Sequence, residues 1–182
     1  MNETLEKVNL YHAINDIALK GEVVVFGSDF MADFPFYELS QKYIFSAALY
    51  NRSIRGLTLA EGEQALKDCV LDIKPSKIFF ALGENDLQNP SALLHYRRIL
   101  DRTRKELPQA DIYLLPVPGT SAAAQQFNLK LHQLCQEEKV EFLPVNYEMC
   151  SGHPQYGKIF KKLSAFFRTG RIGFAEAFAL AN

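Results

Sequence analysis

The sequence has little of what marks the specialised classes of protein. Its formal net charge is only −1, which argues against nucleic acid or an anionic membrane surface as a partner. Lysine and arginine are scattered. Their densest groups, RRILDRTRK and KIFKK, fall on helical patterns and read as solvated helix faces. Cysteine is sparse: Cys69, Cys135 and Cys150 make an odd number with no paired spacing. That argues against a disulfide framework and for a reducing compartment. No apolar run approaches the length that spans a bilayer. The opening stretch MNETLEKVNLYHAINDIALKG is charged throughout and lacks the apolar centre of a secretory signal. There is no internal repeat and no low-complexity segment. The expectation is a cytoplasmic protein without a membrane segment.

What is present is an ordinary globular composition. Hydrophobic residues make up 48% and charged residues 23% of 182 positions, enough for one domain with a real core and too apolar for a disordered chain. Residues 5–19 have helical apolar spacing and stop at Gly21, so an N-terminal helix is expected within residues 1–20. EVVVFG reads as a strand with few polar positions, as strands covered on both faces do. FPFYELSQKY reads as a helix entered through Pro35, and SAALYNRS as a short strand. TLAEGEQALKDCVLDI reads as a helix with Thr58 as its cap and Glu61 at capping-box spacing. SKIFFALGEND is a second strong strand ending at glycine. SALLHYRRILDRTRKEL is an amphipathic helix with Ser91 as the expected cap and Pro108 as its stop. DIYLLPV, the helix TSAAAQQFNLKLHQLCQEEK, the strand VEFLPV and the helix PQYGKIFKKLSAFF follow. After Thr169-Gly170 the tail RIGFAEAFALAN has helical apolar spacing over residues 170–182.

Strands and helices alternate, which predicts a single α/β domain over residues 1–182, with a parallel sheet and helices on both faces. In such sheets ligands sit outside the carboxyl ends of the strands. The informative segments are therefore GSDF, NRSIRG, GEND and the loop after VEFLPV. Asn85 follows a strand and a glycine turn, so its amide can donate to an oxyanion, although Gly, Asn and Asp are also ordinary turn residues. Gly56 offers an unobstructed backbone N–H. His153 precedes a helix after the last strand, and its interest comes from that position.

Together these segments resemble the SGNH (GDSL-type) hydrolase superfamily over most of the chain. VVVFGSDFM, YNRSIRGLT, FFALGENDL and CSGHPQYGK match its blocks in order. AINDIALKG and the FP after the first turn look like a bacterial branch of small cytoplasmic members. The resemblance implies a three-layer α/β/α sandwich, flavodoxin-like, around a five-stranded parallel sheet. It also implies an esterase, lipase or acylhydrolase acting on carboxylic esters without a cofactor or metal. In the family, a serine attacks the acyl carbonyl, and a histidine, oriented by an aspartate three residues before it, is the base. The serine N–H, a glycine N–H and an asparagine amide hold the oxyanion. Gly56, Asn85 and His153 occupy the matching positions, and Ser28, Arg55 and Glu84 beside them are expected to line the ligand site.

The reacting centre departs from the pattern. Asp29 stands where the family has its serine, and Cys150 where it has its aspartate. A carboxylate at Asp29 would oppose a developing oxyanion, and facing His153 it would favour imidazolium, which is no general base. Cys150 cannot orient an imidazole as a carboxylate does. The expectation is weak or absent ester hydrolysis. The alternative is a non-catalytic binding or regulatory module for an acyl or sugar-like ligand. Other routes stay open: Ser28 as nucleophile after a one-residue slip, Asp29 as a carboxylate nucleophile, and Cys150 as a thiolate. A metal held by Asp29, Asn85 and His153 has no ligand-spacing signature behind it. The tail is expected either to pack on its own domain or to pair two chains into a homodimer.

Overall fold

A computed structural model of the chain describes residues 3–42, 47–147, 149–150 and 152–167. The two strongest apolar runs become the centre of the sheet. β1 (Val23–Gly27) and β3 (Lys77–Ala81) pair in parallel along their full lengths, Val23 opposite Lys77 and Gly27 opposite Ala81. β2 (Leu49–Asn51) flanks β1, while β4 (Asp111–Leu114) and β5 (Glu141–Phe142) extend the other side. The order is β2-β1-β3-β4-β5, parallel throughout. Period-two alternation explains why β1 reads as continuously apolar. Val24 and Phe26 enter one core with Ile78, Phe80, Leu66 and Leu100, while Val23 and Val25 enter the other with Phe79, Phe160 and Phe167.

Seven α-helices lie among the described residues: α1 (Glu3–Ile14), α2 (Asp29–Ala32), α3 (Phe36–Ser40), α4 (Leu59–Cys69), α5 (Ala92–Glu106), α6 (Ala122–Glu138) and α7 (Tyr156–Ser164). The first core lies on the α1, α4, α5 and α6 side of the sheet, and the second on the α2, α3 and α7 side. This is the expected three-layer α/β/α sandwich. None of these helices is long and apolar enough to cross a membrane.

Local details correct several expectations. The N-terminal helix is shorter than its apolar spacing suggested: α1 stops at Ile14 and a 3₁₀ turn spans Asn15–Ile17. The helix after Pro35 is a single turn and a half, ending at Ser40. Thr58 does cap α4, in a full capping box with Glu61. Ser91 does not cap α5 through its side chain; its N–H instead donates to Asn89 Oδ1 at 3.0 Å. The last strand of the sheet shrinks to two residues. Beyond it lies a small antiparallel hairpin of β6 (Met149–Cys150) and β7 (His153–Pro154). The tail at 170–182 lies outside the described residues.

The chain runs from β1 outward to β2, then crosses to β3 on the other side of β1. The strand order therefore reverses between β1 and β3, and their carboxyl ends frame the crevice where such sheets bind ligands. Close approach there demands glycine. A Cβ on Gly27 would meet the Ala81 carbonyl at 2.8 Å, and one on Gly83, whose φ is +113°, would meet the Phe127 ring at 2.4 Å.

Candidate active site

Asp29 opens α2 directly beyond β1, and Asn85 lies in the 3₁₀ turn Glu84–Asp86 beyond β3. The two side chains meet: Asn85 Nδ2 donates to Asp29 Oδ2 at 2.6 Å. The Gly56 N–H donates to Asp29 Oδ1 at 3.2 Å. The two donors that would hold an oxyanion thus both hold the Asp29 carboxylate. Three of the residues singled out in the sequence are joined by direct hydrogen bonds.

A second contact runs beside the first. Both carboxylate oxygens of Glu84 accept from the Phe30 N–H at 3.2 Å. Consecutive residues of one loop, Glu84 and Asn85, thereby hold consecutive residues of the other, Phe30 and Asp29. Burial pushes the Glu84 carboxyl up to about 7. The Phe30 N–H works against that rise, and the nearby Asp29 charge adds to it. Among the described residues, no Lys, Arg or His forms an ion pair with Asp29 or Glu84. Arg55, the cation next to Gly56, is exposed and pairs with Asp33 at 2.5 Å instead.

Ser28 is fully buried, and its Oγ has no hydrogen bond of good geometry. Its N–H donates to the Ala81 carbonyl and its own carbonyl accepts from Ala32, so the backbone is fixed on both sides. In this placement Ser28 presents no exposed surface, unlike Asp29 beside it.

His153 and Cys150 face one another as backbone partners across the β6–β7 hairpin, and both are exposed. Their three-residue spacing is thus the spacing of a tight antiparallel turn. Among the described residues, no side-chain hydrogen bond or ion pair joins His153 to Asp29 or to Cys150. The hairpin nevertheless belongs to this end of the molecule. Tyr156, just after it, packs on Phe34 and Phe30 with ring centroids 5.3 and 6.1 Å apart. A groove of about 500 Å³ runs from Phe30 past the ends of β4 and β5 to Met149 and Pro154 of the hairpin.

Sequence reasoning missed three residues that build the site. Asp86 is buried; its Oδ2 accepts from the Leu59 N–H at 2.7 Å, tying the start of α4 to the turn that carries Asn85. Asn51 donates to the Met31 carbonyl at 2.8 Å and accepts from the Ser53 N–H at 3.2 Å, linking α2 to the segment that carries Gly56. Tyr147 stacks edge-on against Phe30 at 4.7 Å and donates to the Pro116 carbonyl. All three lie in segments that the sequence marks as informative, Asp86 in GEND, Asn51 in NRSIRG and Tyr147 in the loop after VEFLPV, but their partners are far away in the chain.

Among the described residues, the group whose side chains could together hold a metal ion is His12, Asp68 and Asp72, away from this site, and there Lys67 already pairs with Asp72 at 2.8 Å.

No protein-family model matches the chain, and no curated protein matches it. Solved structures do. A protein from Streptococcus pneumoniae named for platelet activating factor superposes with a TM-score of 0.78 at 21% identity, over 91% of this chain and 92% of that one. A GDSL-like lipase from Bacteroides thetaiotaomicron gives 0.70 at 13% identity, over 96% and 98%. The esterase EstA from Pseudoalteromonas, in a structure inhibited by monoethylphosphonate, gives 0.65 at 14% identity, over 80% and 96%. With a five-stranded parallel sheet in the order 2-1-3-4-5 and this likeness over nearly its whole described length, the chain has the fold of the GDSL-type (SGNH) hydrolases.

Proposed function

We propose that the chain is a hydrolase-fold protein in which ester hydrolysis is weak or lost, because its own Asp29 fills the oxyanion site. One observation carries this reading: Asp29 accepts from both Gly56 N and Asn85 Nδ2. Attack on an ester generates a tetrahedral oxyanion, and catalysis requires preorganised donors aimed at that developing charge. Here the donors are satisfied by a fixed negative charge. A substrate oxygen would have to displace that carboxylate and then develop its own charge beside it. The position that would carry the attacking hydroxyl is the one that carries the blocking group.

The other members of the machinery fit the same reading. Cys150 stands across from His153 where an orienting carboxylate would be needed. Each Asp29 oxygen accepts one hydrogen bond, from Gly56 N or Asn85 Nδ2, which lowers its strength as a nucleophile. A cytoplasmic setting agrees with three free cysteines, two of them buried. The groove beyond Phe30 supports the second reading, a binding module that keeps the pocket for a ligand with an apolar portion.

The test is hydrolysis of p-nitrophenyl acetate by the purified protein. Wild type should run close to the uncatalysed rate, and Asp29→Ala should leave that rate unchanged. A robust rate abolished by Asp29→Ala would overturn the reading and make Asp29 a carboxylate nucleophile.

A further inference from the structure

Filling the oxyanion site with a carboxylate inverts its electrostatic sign. We propose that this end of the molecule binds an organic ammonium ion with an apolar tail, the charged head beside Asp29 and the tail in the groove beyond Phe30. The inference rests on the reading that the site no longer receives an ester carbonyl, and it names the ligand class that replaces one.

Three observations converge on a cation. First, a carboxylate has about four acceptor sites, and Asp29 uses two of them on Asn85 and Gly56 while remaining only partly buried. Second, no cation is paired to Asp29 among the described residues; Arg55, next to Gly56, is spent on Asp33. Third, the groove starts at Phe30, the residue after Asp29, and is walled by Val117, Val145, Tyr147, Met149 and Pro154. Among the described residues its lining side chains are all uncharged, so no cation there competes with a ligand. Aromatic faces and the Asp29 carboxylate both favour an ammonium head, whereas a free carboxylate or phosphate would be repelled.

Three probes that share one hexyl tail separate the terms: hexylammonium, hexan-1-ol and hexanoate. Titrated into the full chain by calorimetry, the ammonium should bind roughly fivefold or more tighter than the alcohol, which corresponds to about 1 kcal/mol from the head. Hexanoate should bind most weakly. Asp29→Asn should remove most of the ammonium's advantage while leaving the alcohol's affinity unchanged, and that unchanged affinity also reports an intact groove. Equal affinities for the three probes, tighter binding of hexanoate, no binding of any probe, or an advantage that survives Asp29→Asn would each overturn the proposal. Ester hydrolysis measured on the same preparations keeps the two readings apart. Turnover that depends on Asp29 refutes the loss of hydrolysis. No turnover combined with no ammonium preference refutes the ammonium site alone.

Discussion

Asn85 donates to the Asp29 carboxylate at 2.6 Å, and its second amide hydrogen reaches the Leu57 carbonyl at 3.3 Å. The amide is therefore fully committed, with one bond into the neighbouring loop and one across the crevice. Two bonds inside the chain fix its orientation. An oxyanion donor needs such preorganisation, and here it is directed at the Asp29 carboxylate.

Restoring the reacting centre should be strongly non-additive. Asp29→Ser frees both donors and supplies an uncharged nucleophile. Cys150→Asp places a carboxylate across the hairpin from His153. Members of a triad act as a unit, so each single variant should stay near background toward p-nitrophenyl acetate. The double variant should exceed the product of the two single effects. Four rates at background, with the double variant folded, would locate the defect in the position of the His153 hairpin.

Glu84 makes stability depend on pH in a defined direction. Its folded-state value, about 7, lies above the usual 4.5. The folded chain therefore holds a proton that the unfolded chain releases in that window. Stability should be greatest below about pH 4.5 with respect to this group and should fall as pH rises through 7, by at most about 3 kcal/mol. The groups that face it are Asp29, Asp33 and Tyr147, with Ser28 beside it and Arg55 drawn off by Asp33. Glu84→Gln should flatten this part of the profile in urea melts at pH 5 to 8. A wild-type profile as flat as that of the variant would refute the assignment.

Gly83→Ala should be severe. The residue sits at φ +113°, and a Cβ would lie 2.4 Å from the Phe127 ring. Strain and overpacking together should cost about 2–4 kcal/mol in chemical denaturation. Adding Phe127→Leu should recover the packing part only, leaving the backbone part in place. Full recovery would mean that the positive φ contributes nothing.

The sequence after Gly170 spaces Ile172, Phe174, Ala175, Phe178 and Ala179 as they would fall near one face if the tail were helical. If that face pairs two chains, truncation after Gly170 should convert a dimer to a monomer in light scattering. A full-length chain that is already monomeric at micromolar concentration ends the idea.

The layering was legible because strands covered on both faces leave a strong trace. VVVFG and KIFFA are almost devoid of polar residues, and that alone places them at the centre of a parallel sheet. Thr58 and Glu61 were legible because a capping box is a local contact. Ser91 was misread because the same residue type also serves turns, and here Asn89 takes over the turn. The β6–β7 hairpin left no periodic trace, since two-residue strands are too short to show one. The position of Asp29 was readable from block spacing. The destination of its oxygens was not, because it depends on Gly56 and Asn85, which are 27 and 56 residues away in the chain.

On the proposed reading, the Asp29 carboxylate is also a tethered competitor. Any external acyl group that seeks the Gly56 and Asn85 donors competes against a ligand that cannot diffuse away. Even a flexible tether supplies an effective concentration on the order of millimolar, and a side chain rooted at a fixed helix start supplies far more. Raising the substrate concentration is therefore a poor way to reach those donors. Shortening the side chain at position 29 turns an intramolecular contest into an ordinary one between solutes, which is why this position governs access to the site before it governs chemistry.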